Sequence, residues 1–355
     1  FWDLLATAKF TGDVWAVPEG TAIFANEPIL RIEAPLWQAQ LVETYLLNTI
    51  NYQTLIATRA ARLRDVAGAD TTLLEFGTRR AFSPQASLWA ARAAIAGGLD
   101  TTSNVLAALQ LGVQPSGTMA HSLVMALDAV AGGEQAAFSA FHRYFPGAPL
   151  LIDTYDPIAA ATALAARIAA GELELSGIRL DSGDLITLSK QVKSILPDVD
   201  IFATGDLDEW EIAKLRAANA PINGFGVGTK LVTGSPVNGV YKLVEIDHIP
   251  TMKRSTGKMT YPGKKQIFRH FQAGQFDRDN LGLATEGTGL LNLVMQGGNR
   301  LHPDDDLATI RYRTDLNVAS LSTDLRDLDY DGSAPVNLSP ALEQLTKNLE
   351  QGRSR

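Results

Sequence analysis

The chain has 355 residues, 46% of them hydrophobic, enough for a sizeable core and, on length, about two domains. A formal net charge of -8 excludes a globally basic surface for nucleic acid or an anionic membrane, and no apolar run approaches the ~20 residues that span a bilayer. There is no cysteine, which excludes disulfides, Cys-ligated metals and thiol nucleophiles and fits a reducing, cytoplasmic setting. The sequence opens on Phe1 rather than Met and carries no signal-peptide pattern, so a segment upstream of Phe1 is expected.

Residues 13–34 read as strands, rich in Val, Ile and Trp and broken by turns at Pro18-Glu19-Gly20 and Asn26-Glu27-Pro28. A long helix follows from about 36 to 66, with Leu41, Tyr45, Leu46, Ile50, Leu55 and Ile56 at helical spacing and Gly68 as its stop. Then one unit repeats: a short apolar run ends in a polar cluster and a helical pattern follows. The runs lie at 73–81, 98–104, 113–121, 149–156, 177–184, 200–207 and 225–230. Ser83-Pro84 opens one helix and Gly97-Gly98 closes it; Asp156-Pro157 opens another, closed at Gly171.

Such strand–helix alternation predicts a parallel sheet. An eighth strand at 239–246 would allow closure into a barrel, with a doubly wound open sheet as the competing arrangement. The barrel is favoured because polar residues end nearly every run, and a barrel would ring them round one pocket. After 247 the alternation stops. A basic, turn-rich segment at 251–270, short strands to about 313, a polar segment at 322–336 and an amphipathic helix over 340–351 complete the chain. The expected domains are an α/β barrel over 36–246 and a β-rich domain built from 1–35 and 247–355.

The polar clusters carry the candidate chemistry. In Phe76-Gly77-Thr78-Arg79-Arg80 the guanidinium forks suit a carboxylate or phosphate, although an arginine pair at a helix start is also a common surface feature. Phe76 suits either stacking on a flat ligand or a place in the core. Arg179, Asp181, Ser182 and Asp184 crowd six residues, with Gly183 allowing a tight turn. Together they can hold an anion, sugar hydroxyls and a metal-bound phosphate, with Asp184 a candidate metal ligand. Capping of the next helix by Asp181 or Ser182 accounts for only one of the four. Gly224, Gly226, Gly228 and Thr229 offer backbone N–H groups to a phosphate, at a position in the barrel order where phosphates are often bound. Gly205 and Asp206 end the preceding run, and Asp206 is either a ribose ligand or a helix cap.

His121 is one of five histidines and can serve as acid, base or nucleophile near neutral pH. No HxH or HxxxH spacing accompanies it, which argues against zinc. In a closed barrel it would share a rim with Arg79, Asp100, Arg179 and the glycine loops. The basic run Lys253, Arg254, Lys258, Lys264 and Lys265 is either a solvated face or a reach toward a phosphate-rich ligand, in this subunit or its neighbour. A Schiff-base lyase would need a strand-end lysine, for which only Lys230 qualifies.

Taken together, FGTRRA, GGLDTTSNV, GTMAHSLVMAL, IRLDSGDL and GFGVGT resemble the nicotinate phosphoribosyltransferase family, in order from about residue 13 to at least 270. The resemblance implies an irregular TIM-like α/β barrel with a second β-rich domain formed by both chain ends, working as a homodimer with shared active sites. It implies that nicotinate and phosphoribosyl pyrophosphate give nicotinate mononucleotide and pyrophosphate, with ATP hydrolysis coupled through a phosphohistidine and Mg²⁺ accompanying the pyrophosphate. By motif, His121 is then the phosphorylated residue and Arg179 the partner of the nicotinate carboxylate, with Thr118, Arg79 and Phe76 nearby. Asp181 and Asp206 meet ribose hydroxyls, and Gly205, Gly228 and Thr229 hold the 5-phosphate. Asp100 and Ser182 complete the expected substrate contacts. The family's DxYQ-type motif, whose tyrosine stacks on the pyridine, has no match here. A nicotinamide- or quinolinate-type phosphoribosyltransferase, or a non-catalytic mononucleotide-binding homologue, are the alternatives.

Overall fold

Helix starts set the frame of the middle of the chain. Ser83 Oγ accepts from Ala86 N (3.0 Å), Asn104 Oδ1 from Ala107 N (3.0 Å), Asp156 Oδ1 from Ile158 N (2.9 Å) and Asp208 Oδ1 from Glu211 N (3.0 Å). Asp184 caps in the same way, from Ile186 N (3.1 Å) and Thr187 N (3.3 Å). Each takes up a first-turn N–H that the helix itself cannot satisfy. The helices they open are Pro84–Ala96, Val105–Leu111, Pro157–Ala169, Leu185–Ile195 and Glu209–Ala217.

Between these helices lie parallel strands. The computed structural model describes residues 2–253, 255 and 260–352. Its largest sheet has six strands, in the spatial order Thr101–Thr102, Thr72–Glu75, Gly224–Val227, Asp200–Ala203, Gly177–Leu180, Leu150–Leu151. All its pairs are parallel. Ile178, Leu180, Ile201, Ala203, Phe225, Val227 and Leu73 are fully buried on one face, as strands covered by helices require. The other face carries Arg179, paired in register with Phe202, and Leu74, paired with Gly226. Glycine makes room there. A Cβ on Gly226 would lie 2.7 Å from the Phe76 ring, so the ring can fold over the strand.

Two expected strands are not strands of this sheet. Residues 113–120 form none, because Pro115 lacks an N–H and Gly117 weakens any ladder. The segment's backbone instead bonds to the neighbouring strand through Ser116 N to Thr102 O (3.0 Å), before the helix His121–Ala131 begins. The expected eighth strand is also corrected: only Glu245–Ile246 is extended, and it pairs antiparallel with Ile249–Pro250.

The chain divides into two compact units, Phe1–Tyr52 with Val237–Arg355, and Gln53–Pro236. The division falls inside the helix Glu43–Ala67, later than the boundary at 35 read from composition. A four-stranded antiparallel sheet in the first unit joins both ends of the chain, in the order Asn299–Arg300, Asn292–Gln296, Asp13–Ala16, Leu30–Glu33. A hairpin of Lys265–Gln272 and Gln275–Leu283 takes Val336–Leu338 as a parallel third strand. Its apolar face, with Ile267 and Leu281, packs on Leu342 of the helix Pro340–Glu350. Short strands are expected to about 313, but that run stops at Arg300, and a strand returns only at Val336–Leu338. Asp306 caps a helix, Leu307–Ser320, by accepting from Thr309 N (2.7 Å).

In the basic run, Arg254 and Lys258 lie outside the described residues. Lys264 pairs with Glu33 (2.5 Å), and Lys265 is buried, its ammonium donating to the carbonyls of Tyr261 (2.6 Å) and Gly263 (3.1 Å). Lys265 is thus no part of a solvated face. Burial, then the nearby Arg31 charge, pushes its pKa down to about 8. No helix of the described residues is long and apolar enough to cross a membrane.

Candidate active site

The candidate site lies at the C-terminal ends of the parallel strands in the Gln53–Pro236 unit. Arg179 sits one residue before the end of Gly177–Leu180 and is mostly buried. Its Nη1 donates to Thr118 Oγ1 and to Met119 O (3.1 Å), and Nη2 reaches Asp181 Oδ1 at 3.5 Å. Nε is buried and has no partner among the described residues. One edge of the guanidinium is therefore anchored, while the Nε side keeps an unmet donor. Burial pulls the Arg179 pKa down; Asp181 and Asp153 oppose that shift, and the Arg79 charge adds to it.

Asp181 is the hub. Its Oδ1 accepts from Thr204 Oγ1, and its Oδ2 is 3.5 Å from His121 Nε2. Burial pushes this carboxyl up, but the Thr204 hydroxyl, Arg179 and His121 outweigh it and hold the pKa below the ordinary Asp value. Gly205 makes the approach from the neighbouring strand feasible. Its φ is +95°, and a Cβ there would come within 2.0 Å of Asp181 O.

His121 is the first residue of its helix, and no side chain caps that helix start. Its Nδ1 lies 3.1 Å from Thr154 Oγ1, and Nε2 lies 4.0 Å from Asp153 Oδ1. Asp153 was not singled out in the sequence. Its side chain is 3% exposed, and its Oδ2 accepts from Asp181 N (2.7 Å) and Ser182 Oγ (2.9 Å). Oδ1 is buried without a hydrogen bond among the described residues. An Asp ending an apolar run, three residues before the cap Asp156, was the available signal.

The remaining expected residues divide. Phe76 follows the strand Thr72–Glu75, and Arg79 lies exposed in the turn Thr78–Arg80. Gly228 and Thr229 follow Gly224–Val227, and a Cβ on Gly228 would lie 3.0 Å from Phe76 O. Asp206 is exposed, with φ +50°, and is not the helix cap, which is Asp208. Asp184 is the cap of Leu185–Ile195, rather than Asp181 or Ser182.

Asp100 is placed elsewhere. Its Oδ2 accepts from Leu73 N (2.8 Å) and Arg64 Nη2 (2.7 Å), beside the start of the 72–75 strand rather than its end. Lys230 is exposed and 3.5 Å from Asp208, without the burial that would activate an amine. Among the described residues, no group of three or more His, Asp or Glu could enclose a metal ion.

The chain as a whole is similar to known proteins. Residues 1–51 match the nicotinate phosphoribosyltransferase N-terminal domain model, and residues 71–259 match the nicotinate phosphoribosyltransferase family model. The chain is 43% identical over 351 residues to nicotinate phosphoribosyltransferase pncB2 of Mycobacterium tuberculosis, covering 94% of this chain and 74% of that protein. It is 45% identical over 272 residues to the Bacillus subtilis nicotinate phosphoribosyltransferase, covering 72% and 54% respectively. The crystal structure of human nicotinic acid phosphoribosyltransferase superposes with a TM-score of 0.85 at 30% identity, over 98% of this chain and 85% of that one. A nicotinate-nucleotide pyrophosphorylase from Pyrococcus furiosus gives 0.76 at 26%, over 90% and 84%. Identity of this level over nearly the whole chain, with both family models matched in order, establishes that the chain belongs to the nicotinate phosphoribosyltransferase family.

Proposed function

We infer that this chain joins nicotinate to phosphoribosyl pyrophosphate, giving nicotinate mononucleotide and pyrophosphate in a salvage route to NAD. The pyridine nitrogen forms a bond to the anomeric carbon as the bond to pyrophosphate breaks, and pyrophosphate leaves with the electron pair. Positive charge grows on the sugar and negative charge on the leaving group, so alignment and charge stabilisation supply the catalysis.

The observation that carries this reading is Arg179. It is anchored through Nη1 to Thr118 and Met119, with a buried Nε donor unmet. A carboxylate can accept from Nε and the neighbouring nitrogen at once, a pairing that a neutral amide meets less well. Phe76, lying over Gly226, supplies a flat apolar wall. Asp181 and Asp206 would receive ribose hydroxyls, Ser182 would add a further contact, and Gly205, Gly228 and Thr229 would hold the 5-phosphate.

ATP coupling rests on His121. The γ-phosphoryl of ATP would pass to a ring nitrogen, with ADP leaving, and water would later return free histidine and phosphate. A proton on Nε2 faces Asp181 and Asp153, which leaves Nδ1, beside the Thr154 hydroxyl, as the nucleophilic nitrogen. The uncapped N-terminus of His121–Ala131 favours the added negative charge. Magnesium, when bound, would neutralise charge on the leaving pyrophosphate. The described residues form no cage for it, so substrate oxygens and water would have to supply most of its ligands, and Asp184 is committed to its helix.

We read the six-stranded sheet as an irregular TIM-like barrel in which residues 113–120 stand where a strand would be. A cytoplasmic homodimer with shared active sites completes the proposal; the exposed Val105, Leu106 and Leu109 on one helix suit such an interface.

The test is incubation of the purified protein with phosphoribosyl pyrophosphate, Mg²⁺ and ATP and, in turn, nicotinate, nicotinamide and quinolinate. Mononucleotide from nicotinate alone is the expected result. A preference for nicotinamide, or release of CO₂ from quinolinate, would assign one of the rival reactions, and binding without turnover would make the chain a non-catalytic homologue.

A further inference from the structure

Glu75 is out of place. It sits on the helix-covered side of the parallel sheet, in register with Val227 and Thr102, both fully buried. Neighbouring strands fill that side with Leu180, Ala203 and Val227, yet Glu75 is a carboxyl group 1% exposed. Burial pushes its pKa up, against the lowering effect of Thr102 and the Gly77 N–H. A carboxyl there costs stability that an apolar side chain would not. No ion pair to it is found among the described residues; its partners are a hydroxyl and a backbone N–H.

Those partners define what it does. Glu75 Oε1 accepts from Gly77 N, and Oε2 accepts from Thr102 Oγ1. The first bond closes a loop from residue 75 to residue 77 around Phe76, so the chain turns as it leaves the strand. Phe76 N donates to Val227 O (2.8 Å), and its ring falls on the opposite face, over Gly226. Gly77 is wedged in place, since a Cβ there would lie 2.2 Å from Val232. The second bond continues through Thr102 Oγ1, which accepts from Asn104 N (2.9 Å), to Asn104 Nδ2 and Ser87 Oγ (3.1 Å). Ser87 and Asn104 belong to the starts of the two helices that cover this edge of the sheet.

We propose that Glu75 is a positioning residue for the pyridine substrate: from behind the sheet, it fixes the turn that presents Phe76 and Arg79 to the site and ties that turn to Thr102. The inference rests on the nicotinate reading of the site. Glu75 touches neither substrate. Its loss would loosen the wall for the flat ring, while the phosphate loop at Gly205, after a strand two places along the sheet, stays as it is.

The experiment is steady-state kinetics of Glu75→Gln, Glu75→Leu and Thr102→Val, with the KM for nicotinate and for phosphoribosyl pyrophosphate measured separately and folding followed by thermal melting. Glu75→Gln keeps an oxygen for Gly77 N and is expected within about threefold of the parent. Glu75→Leu should raise the nicotinate KM by about tenfold or more with the other KM within twofold, and Thr102→Val by about threefold. Folded variants with both KM values unchanged would overturn the proposal, as would a parallel rise in both. Should Glu75→Leu fail to fold, Thr102→Val decides alone: an unchanged nicotinate KM refutes. A parent protein that does not use nicotinate would instead refute the functional reading, which keeps the two failures distinct.

Discussion

At the scale of single residues, the site depends on which donors and acceptors are left over. His121 faces two carboxylates and a hydroxyl, and its helix start is uncapped. His121→Ala should abolish phosphate incorporation from labelled ATP and remove the stimulation of turnover by ATP; intact labelling would place the phosphate elsewhere. Glu27 offers a test in the other unit. Burial, then the neighbouring Asp279 carboxyl, pushes its pKa up to about 8, while the Phe24 N–H and the Arg269 charge act in the opposite sense. Asp279 is itself fully buried and paired with Arg269 (2.6 Å). A carboxyl whose folded pKa is raised keeps a proton that the unfolded chain has lost, so this group's contribution to stability falls as pH rises from about 4.5 to about 8. Glu27→Gln should therefore melt at a temperature less sensitive to pH between 6 and 9 than the parent, on the order of one ionising group's effect. An identical pH profile would show that Glu27 does not titrate in that window. Arg179 and His121 stood out in the sequence because their residue types advertise chemistry. Asp153 and Glu75 did not, since only the fold reveals that one approaches a histidine and the other is buried without an ion pair.

At the scale of elements, caps and ligands compete to explain the same residues. Polar clusters after strands suggested a pocket, yet Ser83, Asn104, Asp156, Asp184 and Asp208 mainly satisfy helix starts. Asp184→Asn, which keeps a good cap, should leave kcat/KM and its magnesium dependence close to those of the parent. Asp184→Ala should lower the melting temperature by a few degrees with little effect on activity. A large activity loss in the Asn variant would restore Asp184 as a metal ligand. Strand–helix alternation was legible because each unit carries its own cap and stop signals. Residues 113–120 were misread as a strand because Val113, Met119 and the polar end fit the pattern, while Pro115 and Gly117 deny it ladder bonds. The 307–320 helix was missed because its polar face hides the period, and only Asp306 marks its start.

At the scale of the whole molecule, residues from Phe76 to Thr229 are distant in sequence, and six parallel strands deliver most of them to the same end of one sheet. Asp100 is the exception, tied to the start of its neighbouring strand. That outcome was largely foreseeable from the order of the motifs. The sequence favours a closed barrel, but the paired strands run from Thr101–Thr102 to Leu150–Leu151 without pairing to each other, and edge strands of two residues leave almost no periodic signal. The exposed apolar side chains on Val105–Leu111 predict a dimer in solution, which sedimentation equilibrium would report as twice the chain mass; a monomer at micromolar concentration would remove the shared-site proposal. The central claim is that Arg179, through its unmet Nε donor, reads the acid group of the pyridine. Its most direct test is the ratio of kcat/KM for nicotinate to that for nicotinamide in the parent and in Arg179→Ala. The account predicts a ratio on the order of a hundred or more that collapses toward unity in the variant, chiefly through loss of the nicotinate value. A ratio left unchanged by the substitution would contradict it.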